Sequence, residues 1–588
     1  MTLTYELDPA SKFKEQLRRT GIFVLDVETY KTDTFDGKEL MGVAVGIPTG
    51  LDLDTFYFTP QEFVDVIPLL RGKEMIGFSL MFDLEILEQN GYVHDGFIWD
   101  VLVMHHILNE NEYNYSLDFL SLRYLKETKG IRWGESIVDI GKIEKIYGWN
   151  EIPFQFMSEY AQQDIRLTYK LFLRDRGKLE EQGLAKLYKT SARYIRALQH
   201  IVQEGLLVDW DLLDVMQAVG QEEMRQIEKI VGFEPSKRKQ LDELLYTEMK
   251  LPCLSYTQKG QRGQDKEALN RLIDQFPQHG DLFRNILRWR NLAKADSTWY
   301  EGFKRRRTAT DRIHPGLKQH GTVTGRLSCA EPNLQQIPRD GARVKRLFVD
   351  PPGSVLVEFD YNAVELRLGS FYAMRLGHDP IMYELFAEGL DPHAATATVI
   401  GAYDQLDDRY TARQVGKTGN FAWIYGVGAD TFKAQLYRMF GFSCTLDQAE
   451  SWKEAFHGQY PGFRRANLAY ANYHKRYGHV EMWNRRRARI QPEVPGVQAK
   501  HHIAFNRVVQ GGCGQILMQS TIMLSEAIKR GEIQARICNS VHDSLWFYIA
   551  PHVLEETTAQ IIDIMEAPPT KRFGIPFSVE AKQLNKEG

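Results

Sequence analysis

No apolar run in this chain approaches the ~20 residues that a membrane-crossing helix requires, so no segment is expected to span a bilayer. Cysteine is scarce. Cys253, Cys329, Cys444, Cys513 and Cys538 are scattered without CxxC spacing, which argues against a disulfide framework or a zinc ribbon and fits a reducing, cytoplasmic setting. Low-complexity tracts are missing, which argues against disorder, and so is any repeat of roughly 20–50 residues, which argues against a solenoid. The first twenty residues mix acids with bases around no apolar centre, unlike a secretory signal. Positive charge is not in excess either. With 73 Lys and Arg against 77 Asp and Glu, the net charge is −4, so a polyanion would have to be bound by local basic patches rather than by a global field.

At 588 residues the chain is too long for one core, and two to four domains are expected. Residues 21–190 alternate between strand-like and helical patterns. Strands are predicted at Ile22–Val27, Met41–Ile47 and Met75–Phe78, a helix begins at Asp83–Asn90, and Ser158–Lys178 has helical apolar spacing at Ile165, Tyr169 and Phe172. This is an α/β pattern. From about 190 to 310 the chain reads as helical and charged, including Ser191–Gln203 and Asp281–Tyr300. The segment Thr324–Asp360 is rich in turn residues and cations, 362–500 is mostly helical, and 501–588 closes with a helix, a hairpin at His542-Asp543 and a short strand near Phe577–Ala581.

Three strings carry chemistry. Asp360-Tyr-Asn-Ala-Val-Glu-Leu-Arg367 follows the strand-like Val355–Phe359, and Val541-His-Asp-Ser-Leu545 follows Arg536–Val541. Adjacent strand ends can bring Asp360 and Asp543 to one point, as a pair of Mg²⁺ ions holding a triphosphate and an attacking hydroxyl requires. Either aspartate alone could be a turn former. In the third string Arg413, Lys417, Phe421 and Tyr425 recur every fourth residue, a drift of only about 40° per step on a helix. Two cations followed by two aromatics on one face suit phosphates at one end and a flat base at the other. An amphipathic helix with snorkelling cations would show the same spacing.

A second acidic set lies in the N-terminal region. Asp26 and Glu28 are two apart on a strand and share a face. A salt-bridged edge and a metal site compete as explanations of that pair. Asp83 follows, and then Tyr160 and Asp164, one helical turn apart. Four carboxylates and a tyrosine can hold two metals and orient a water toward a phosphodiester.

In order and spacing these strings resemble family A DNA polymerases, and Asp26, Glu28, Asp83, Tyr160 and Asp164 resemble the DEDDy type of 3′–5′ proofreading exonuclease. The resemblance implies an α/β multidomain chain with an RNase H-like exonuclease domain at 1–190. A right-hand polymerase would follow, with thumb 191–310, palm 311–380 and 501–588, and fingers 381–500. It also implies that Asp360, Asp543 and the Tyr361 carbonyl hold two Mg²⁺ ions, with two more at the exonuclease site and Mn²⁺ able to substitute. Arg413, Lys417 and His393 would meet the triphosphate, Lys417 protonating the leaving group. Phe421 would stack by the incoming sugar and base, Tyr425 would abut the templating pair, and Glu365 would exclude a 2′-hydroxyl. Glu365 could also, and at the same time, be a simple helix N-terminal acid favoured by the dipole. Arg326, Asn333, Gln336, Asn506, Gln510 and His542 would contact primer and template. The basic strip Lys304–Arg307, Arg343, Lys345 and Arg346 suits a phosphate backbone, although 304–307 could be a solvated charge run.

Departures from the family pattern fall at Ser79, His502 and Ser544, and Asp100 suits a supporting or capping role. The implied partners are primer–template DNA and dNTPs, in a monomer that works in the cytoplasm, the host's if phage-encoded. With no 5′-nuclease segment ahead of the exonuclease, a phage-type replicase is expected. Glu365 and the exonuclease strings argue against a single-subunit RNA polymerase, and the full carboxylate set argues against a non-catalytic DNA-binding scaffold.

Overall fold

The computed structural model describes residues 9–30, 38–133, 136–257, 259–338, 344–406, 408–492 and 499–585; Arg343 of the expected basic strip lies outside them. Strands β1 (Ile22–Thr29), β2 (Leu40–Thr49), β3 (Asp52–Phe58), β4 (Glu74–Gly77) and β5 (Ile98–Asp100) form one sheet in the order β3-β2-β1-β4-β5. Central β1 runs antiparallel to β2 and parallel to β4. Its apolar run Phe23-Val-Leu is buried, as suits a strand covered on both faces. Helices α1 (Met81–Gln89) and α3 (Phe154–Glu181) pack against it, and α2 (Val101–Leu108) follows β5 directly. The edge strand β3 was not anticipated from the sequence.

Helix α4 (Ala185–Glu204) is shared between two cores. Leu187, Ala192 and Ile195 belong to the core of the first sheet, whereas Tyr194, Leu198 and Ile201 belong to a larger core reaching to Val579. The expected division at residue 190 therefore falls inside a continuous helix whose two faces are both apolar. Helices α5 (Trp210–Val231) and α6 (Gly280–Lys294) pack together and enclose a small separate core around Leu241, Leu272, Phe283 and Trp289.

The second sheet contains β6 (Val355–Tyr361), β7 (Ala535–Val541), β8 (Ser544–Ile549) and β9 (Val579–Gln583) in the order β7-β8-β6-β9, all antiparallel. Four helices bear on the site that it carries: α7 (Val364–Gly377), α8 (Pro392–Val399), α9 (Arg409–Trp423) and α10 (Ala504–Lys529). Asp408 caps α9 by accepting from the Tyr410 and Thr411 amides at 3.1 and 2.8 Å. The helix stops at Trp423, where the Gly426 and Val427 amides turn back to the carbonyls of Trp423 and Ala422 and Gly426 takes a φ of +76°. Tyr425 therefore lies beyond the helix, which corrects the expectation of four residues on one helical face.

Two candidate active sites

In the N-terminal domain the five predicted residues converge. Asp26 and Glu28 project from β1, and Asp83, in the first turn of α1, accepts the Val27 amide at 3.1 Å. Tyr160 and Asp164 sit one turn apart on α3. Burial pushes the Asp26 carboxyl well above its ordinary range, and Asp83, Glu28 and Asp164 push it further. Burial likewise raises Glu28 to about 8, Asp83 to about 7 and Asp164 to about 6. Asp164 and Asp83 also raise Glu28, so like charges lie close to both strand carboxylates. One cation answers them: the Lys129 ammonium bonds Asp164 Oδ2 and lies 3.2 Å from the Tyr160 hydroxyl.

Asp100 supports this site from behind. Its carboxylate accepts the amides of Ser79 and Leu80 at 3.1 and 2.8 Å, and those of Leu102 and Val103 at the start of α2 at 3.0 and 3.3 Å. The bonds hold Ser79 at a φ of +61°, just ahead of α1.

In the second sheet, Asp360 on β6 pairs directly with Ser544 on β8, and the Tyr361 amide donates to the Asp543 carbonyl at 3.4 Å. The two aspartates thus occupy neighbouring strand ends. A two-residue turn, His542-Asp543, joins β7 to β8, with His542 exposed at a φ of +53°. The Tyr361 ring is buried and its hydroxyl donates to the Met565 carbonyl at 2.6 Å, anchoring the end of β6.

Arg326 binds this region together. Its guanidinium reaches the Gln510 carbonyl at 3.1 Å, Glu365 at 2.6 Å and Asp543 at 3.4 Å. The other Glu365 oxygen accepts the Tyr425 hydroxyl at 2.7 Å. Burial raises the Asp543 carboxyl and Arg326 opposes the rise.

Along α9, Lys417 is exposed, and Arg413 donates to Asp391 at 2.7 Å. Phe421 lies 5.9 Å from the His393 ring. His393 is pushed down to about 4, chiefly by burial, and its Nδ1 accepts the Asn420 amide at 2.9 Å. That places the proton of the neutral ring on Nε2.

Of the expected nucleic-acid contacts, Asn506 and Gln510 are half-buried one turn apart on α10, and Gln336 is exposed. Asn333 accepts the Gln335 amide at 3.2 Å, and it is Gln335 that reaches the Ser540 carbonyl, at 3.4 Å. In the basic strip Lys304, Arg306 and Arg307 pair with Asp214, Glu331 and Asp311 at 2.6, 3.7 and 2.6 Å. Arg305 and Arg346 are exposed without an acidic partner among the described residues.

Four residues escaped the sequence reading: Lys129, Asp391, Asn420 and Glu358. The last accepts Ser544 Oγ at 3.2 Å, Trp546 Nε1 at 2.9 Å and Lys345 at 2.8 Å. Its signal was available as an acid inside an apolar strand, two residues before Asp360 on the same face.

Among the described residues no three His, Cys, Asp or Glu side chains are arranged to hold an ion as they stand. The donors nevertheless suit a hard cation. All are carboxylate oxygens, and Asp164 Oδ1 is buried without a hydrogen-bond partner.

One set of carboxylates lies beside a tyrosine and another pair stands at neighbouring strand ends, the kind of donor groups that metal-assisted phosphoryl chemistry uses. The profile of DNA polymerase family A matches residues 212–586, and that of the 3′–5′ exonucleases matches residues 4–179. The chain belongs to DNA polymerase family A and carries a 3′–5′ exonuclease domain ahead of the polymerase domain. It is 27% identical to DNA polymerase I of Pseudomonas aeruginosa over 96% of its own length and 63% of that protein. It is 29% identical to the thermostable DNA polymerase I of Thermus aquaticus over 72% of the chain and 51% of that protein. The chain thus spans about half to three-fifths of the length of these relatives. The fold is also that of a solved structure described as the POL domain of Pol1 from M. smegmatis in complex with DNA primer-template and dNTP. The TM-score is 0.81 at 20% identity, covering 98% of this chain and 97% of that one.

Proposed function

We propose that the chain extends a primer 3′ end on a DNA template with deoxynucleoside triphosphates and removes 3′-terminal nucleotides at a second site. The observation that carries this reading is the placement of Asp360 and Asp543 at adjacent strand ends, in one chain with the separate Asp26, Glu28, Asp83 and Asp164 cluster.

In the palm, Asp360, Asp543 and the Tyr361 carbonyl would hold Mg²⁺. When bound, the metal activates the primer hydroxyl and neutralises charge on the triphosphate. The chain's own residues do the rest. Exposed Lys417, and Arg413 once released from Asp391, would grip the phosphates, and Lys417 would give a proton to the leaving group. Neutral His393, protonated at Nε2, donates rather than adding charge. Phe421 stacks near the sugar and base. Glu365, held from both sides by Arg326 and Tyr425, presents a fixed carboxylate where a 2′-hydroxyl would intrude. As Tyr425 leaves Glu365 to meet the templating pair, closure of the fingers is coupled to pair shape. Arg326, Asn333, Gln336, Asn506, Gln510 and His542 contact primer and template, with Arg305 and Arg346 on the backbone.

In the N-terminal site, Asp26, Glu28, Asp83 and Asp164 would hold the metals, and Tyr160 orients the attacking water. The protein would act as a cytoplasmic monomer. A replicative, phage-type role is the finest part of this proposal, since the named relatives are bacterial. Primer extension with dNTPs against NTPs tests the main reading: extension by dNTPs supports it, and a preference for NTPs indicates an RNA polymerase. Extension along a long primed single strand tests the replicative part.

A further inference from the structure

The N-terminal carboxylate cluster contains a cation of its own. Lys129 stands on the segment ahead of a short hairpin, and three successive residues of that segment are fastened to α3. Glu127 pairs with Lys170 at 2.7 Å, the Thr128 carbonyl accepts Gln163 Nε2 at 3.4 Å, and the Lys129 ammonium bonds Asp164 and the Tyr160 hydroxyl. The ammonium also lies 5.1 Å from the centre of the Tyr160 ring. Neither side chain of the Lys129–Asp164 pair is open to solvent, with exposures of 14% and 7%. Threefold fastening of consecutive residues makes this a placed charge, unlike a surface lysine that can follow solvent.

We propose that Lys129 is an internal competitor for the metal-binding carboxylates of the exonuclease site, occupying Asp164 in the resting enzyme so that the site loads only above a threshold of free divalent metal. This inference rests on the exonuclease reading given above. The argument is one of charge and space. An ammonium on Asp164 Oδ2 satisfies an oxygen that a hard dication would use, and a dication arriving beside Asp26, Glu28 and Asp83 meets a fixed positive charge within the same cluster. Asp164 Oδ1 is buried and makes no hydrogen bond of its own, which leaves that oxygen for another ligand. Metal loading therefore has to move the ammonium away, and with it the contact that holds the Tyr160 hydroxyl. Lys129 is in this sense a positioning residue: it sets when Asp164 and Tyr160 become available.

The test uses the full chain and Mn²⁺ as the probe, with binding followed by the loss of the free-ion electron paramagnetic resonance signal. Wild type, Lys129→Met, Lys129→Arg and the double variant Asp26→Ala/Glu28→Ala are compared, the last defining the binding that does not belong to this site. Lys129→Met is expected to bind Mn²⁺ at the exonuclease site about tenfold more tightly or better, the usual scale for removing one charge at this range. Lys129→Arg, which keeps the charge, is expected to stay near wild type. The Mg²⁺ concentration giving half-maximal 3′ degradation of a single strand should fall in Lys129→Met by the same ratio. Unchanged or weaker Mn²⁺ binding in Lys129→Met overturns the proposal. If that variant is destabilised in chelator, the gain in melting temperature on adding Mg²⁺ decides the matter: a larger gain than in wild type supports competition, and an equal or smaller gain overturns it. Absence of single-strand degradation in the wild type would count against the exonuclease reading itself, and the Mn²⁺ comparison would still decide the role of Lys129.

Discussion

The two acidic sites of this chain handle the same problem differently. Both bring carboxylates together and both set a cation against one of them. In the N-terminal domain the cation is a point charge, Lys129, in a cluster where Glu28, Asp83 and Asp164 are buried, Asp26 is half-buried, and neighbouring carboxylates raise Asp26 and Glu28. In the palm it is the planar fork of Arg326, which spans Gln510, Glu365 and Asp543 and so ties α10, α7 and the β7–β8 turn together. A lysine can leave by rotating its stem, whereas an arginine with three partners leaves only if several elements give way. On the proposal above, the N-terminal cluster gives up its cation when metal arrives, whereas the Arg326 contacts brace α10, α7 and the β7–β8 turn against one another.

The comparison breaks most easily in the palm. Asp543→Asn removes both a proposed metal ligand and a charge facing the reacting phosphate, so single-turnover extension should fall on the order of 10³-fold or more. Ser544, its neighbour, acts through others: its hydroxyl is placed on Glu358 and on the Val541 carbonyl at 3.2 and 2.9 Å. Ser544→Ala should therefore cost at most ~10–100-fold. Similar losses from both substitutions would mean that Ser544 stands in the metal site.

A smaller effect is expected at Glu365. Glu365→Ala frees Arg326 and Tyr425 together and opens the space in which a 2′-hydroxyl would sit, so competition assays should show ribonucleotide incorporation rising relative to deoxyribonucleotide. An unchanged selectivity ratio would return Glu365 to the role of a helix N-terminal acid.

The mildest expectation concerns pH and sharpens the contrast between the sites. Glu28 and Asp83 are raised by burial to about 8 and about 7, above the ordinary carboxylate range they would have in the unfolded chain. The folded state therefore holds their protons more tightly. The stability this confers is present below the unfolded pKa values and is lost as pH rises toward 8. In chelator, the melting temperature of the N-terminal domain should drop between about pH 5 and 8, and Asp26→Ala/Glu28→Ala should flatten that drop. A melting temperature that rises over this range would contradict the burial of the cluster.

Much of this was legible in the sequence, for identifiable reasons. Asp360 and Asp543 stood out because each ends a strand-like run, and antiparallel pairing places such ends side by side. Asp26 with Glu28 and Tyr160 with Asp164 were found through the periods of strand and helix. Tyr425 was misplaced because a four-residue spacing continues across Gly426 while the helix does not. The division expected at residue 190 falls within α4, which is apolar on two faces, so composition shows no seam there. Lys129 was invisible: it lies on an irregular segment, and only tertiary fastening to α3 brings it to Asp164. Glu358 had a signal, an acid two residues before Asp360 on the same strand face, but a lone acid among apolar residues reads equally as a solvated edge.

The claim that one chain holds two independent sites is tested most directly by assaying Asp26→Ala/Glu28→Ala for both reactions in the same preparation. The account predicts that 3′ degradation of a single strand is lost while primer extension with dNTPs stays within a few-fold of wild type. Collapse of extension along with degradation would contradict it.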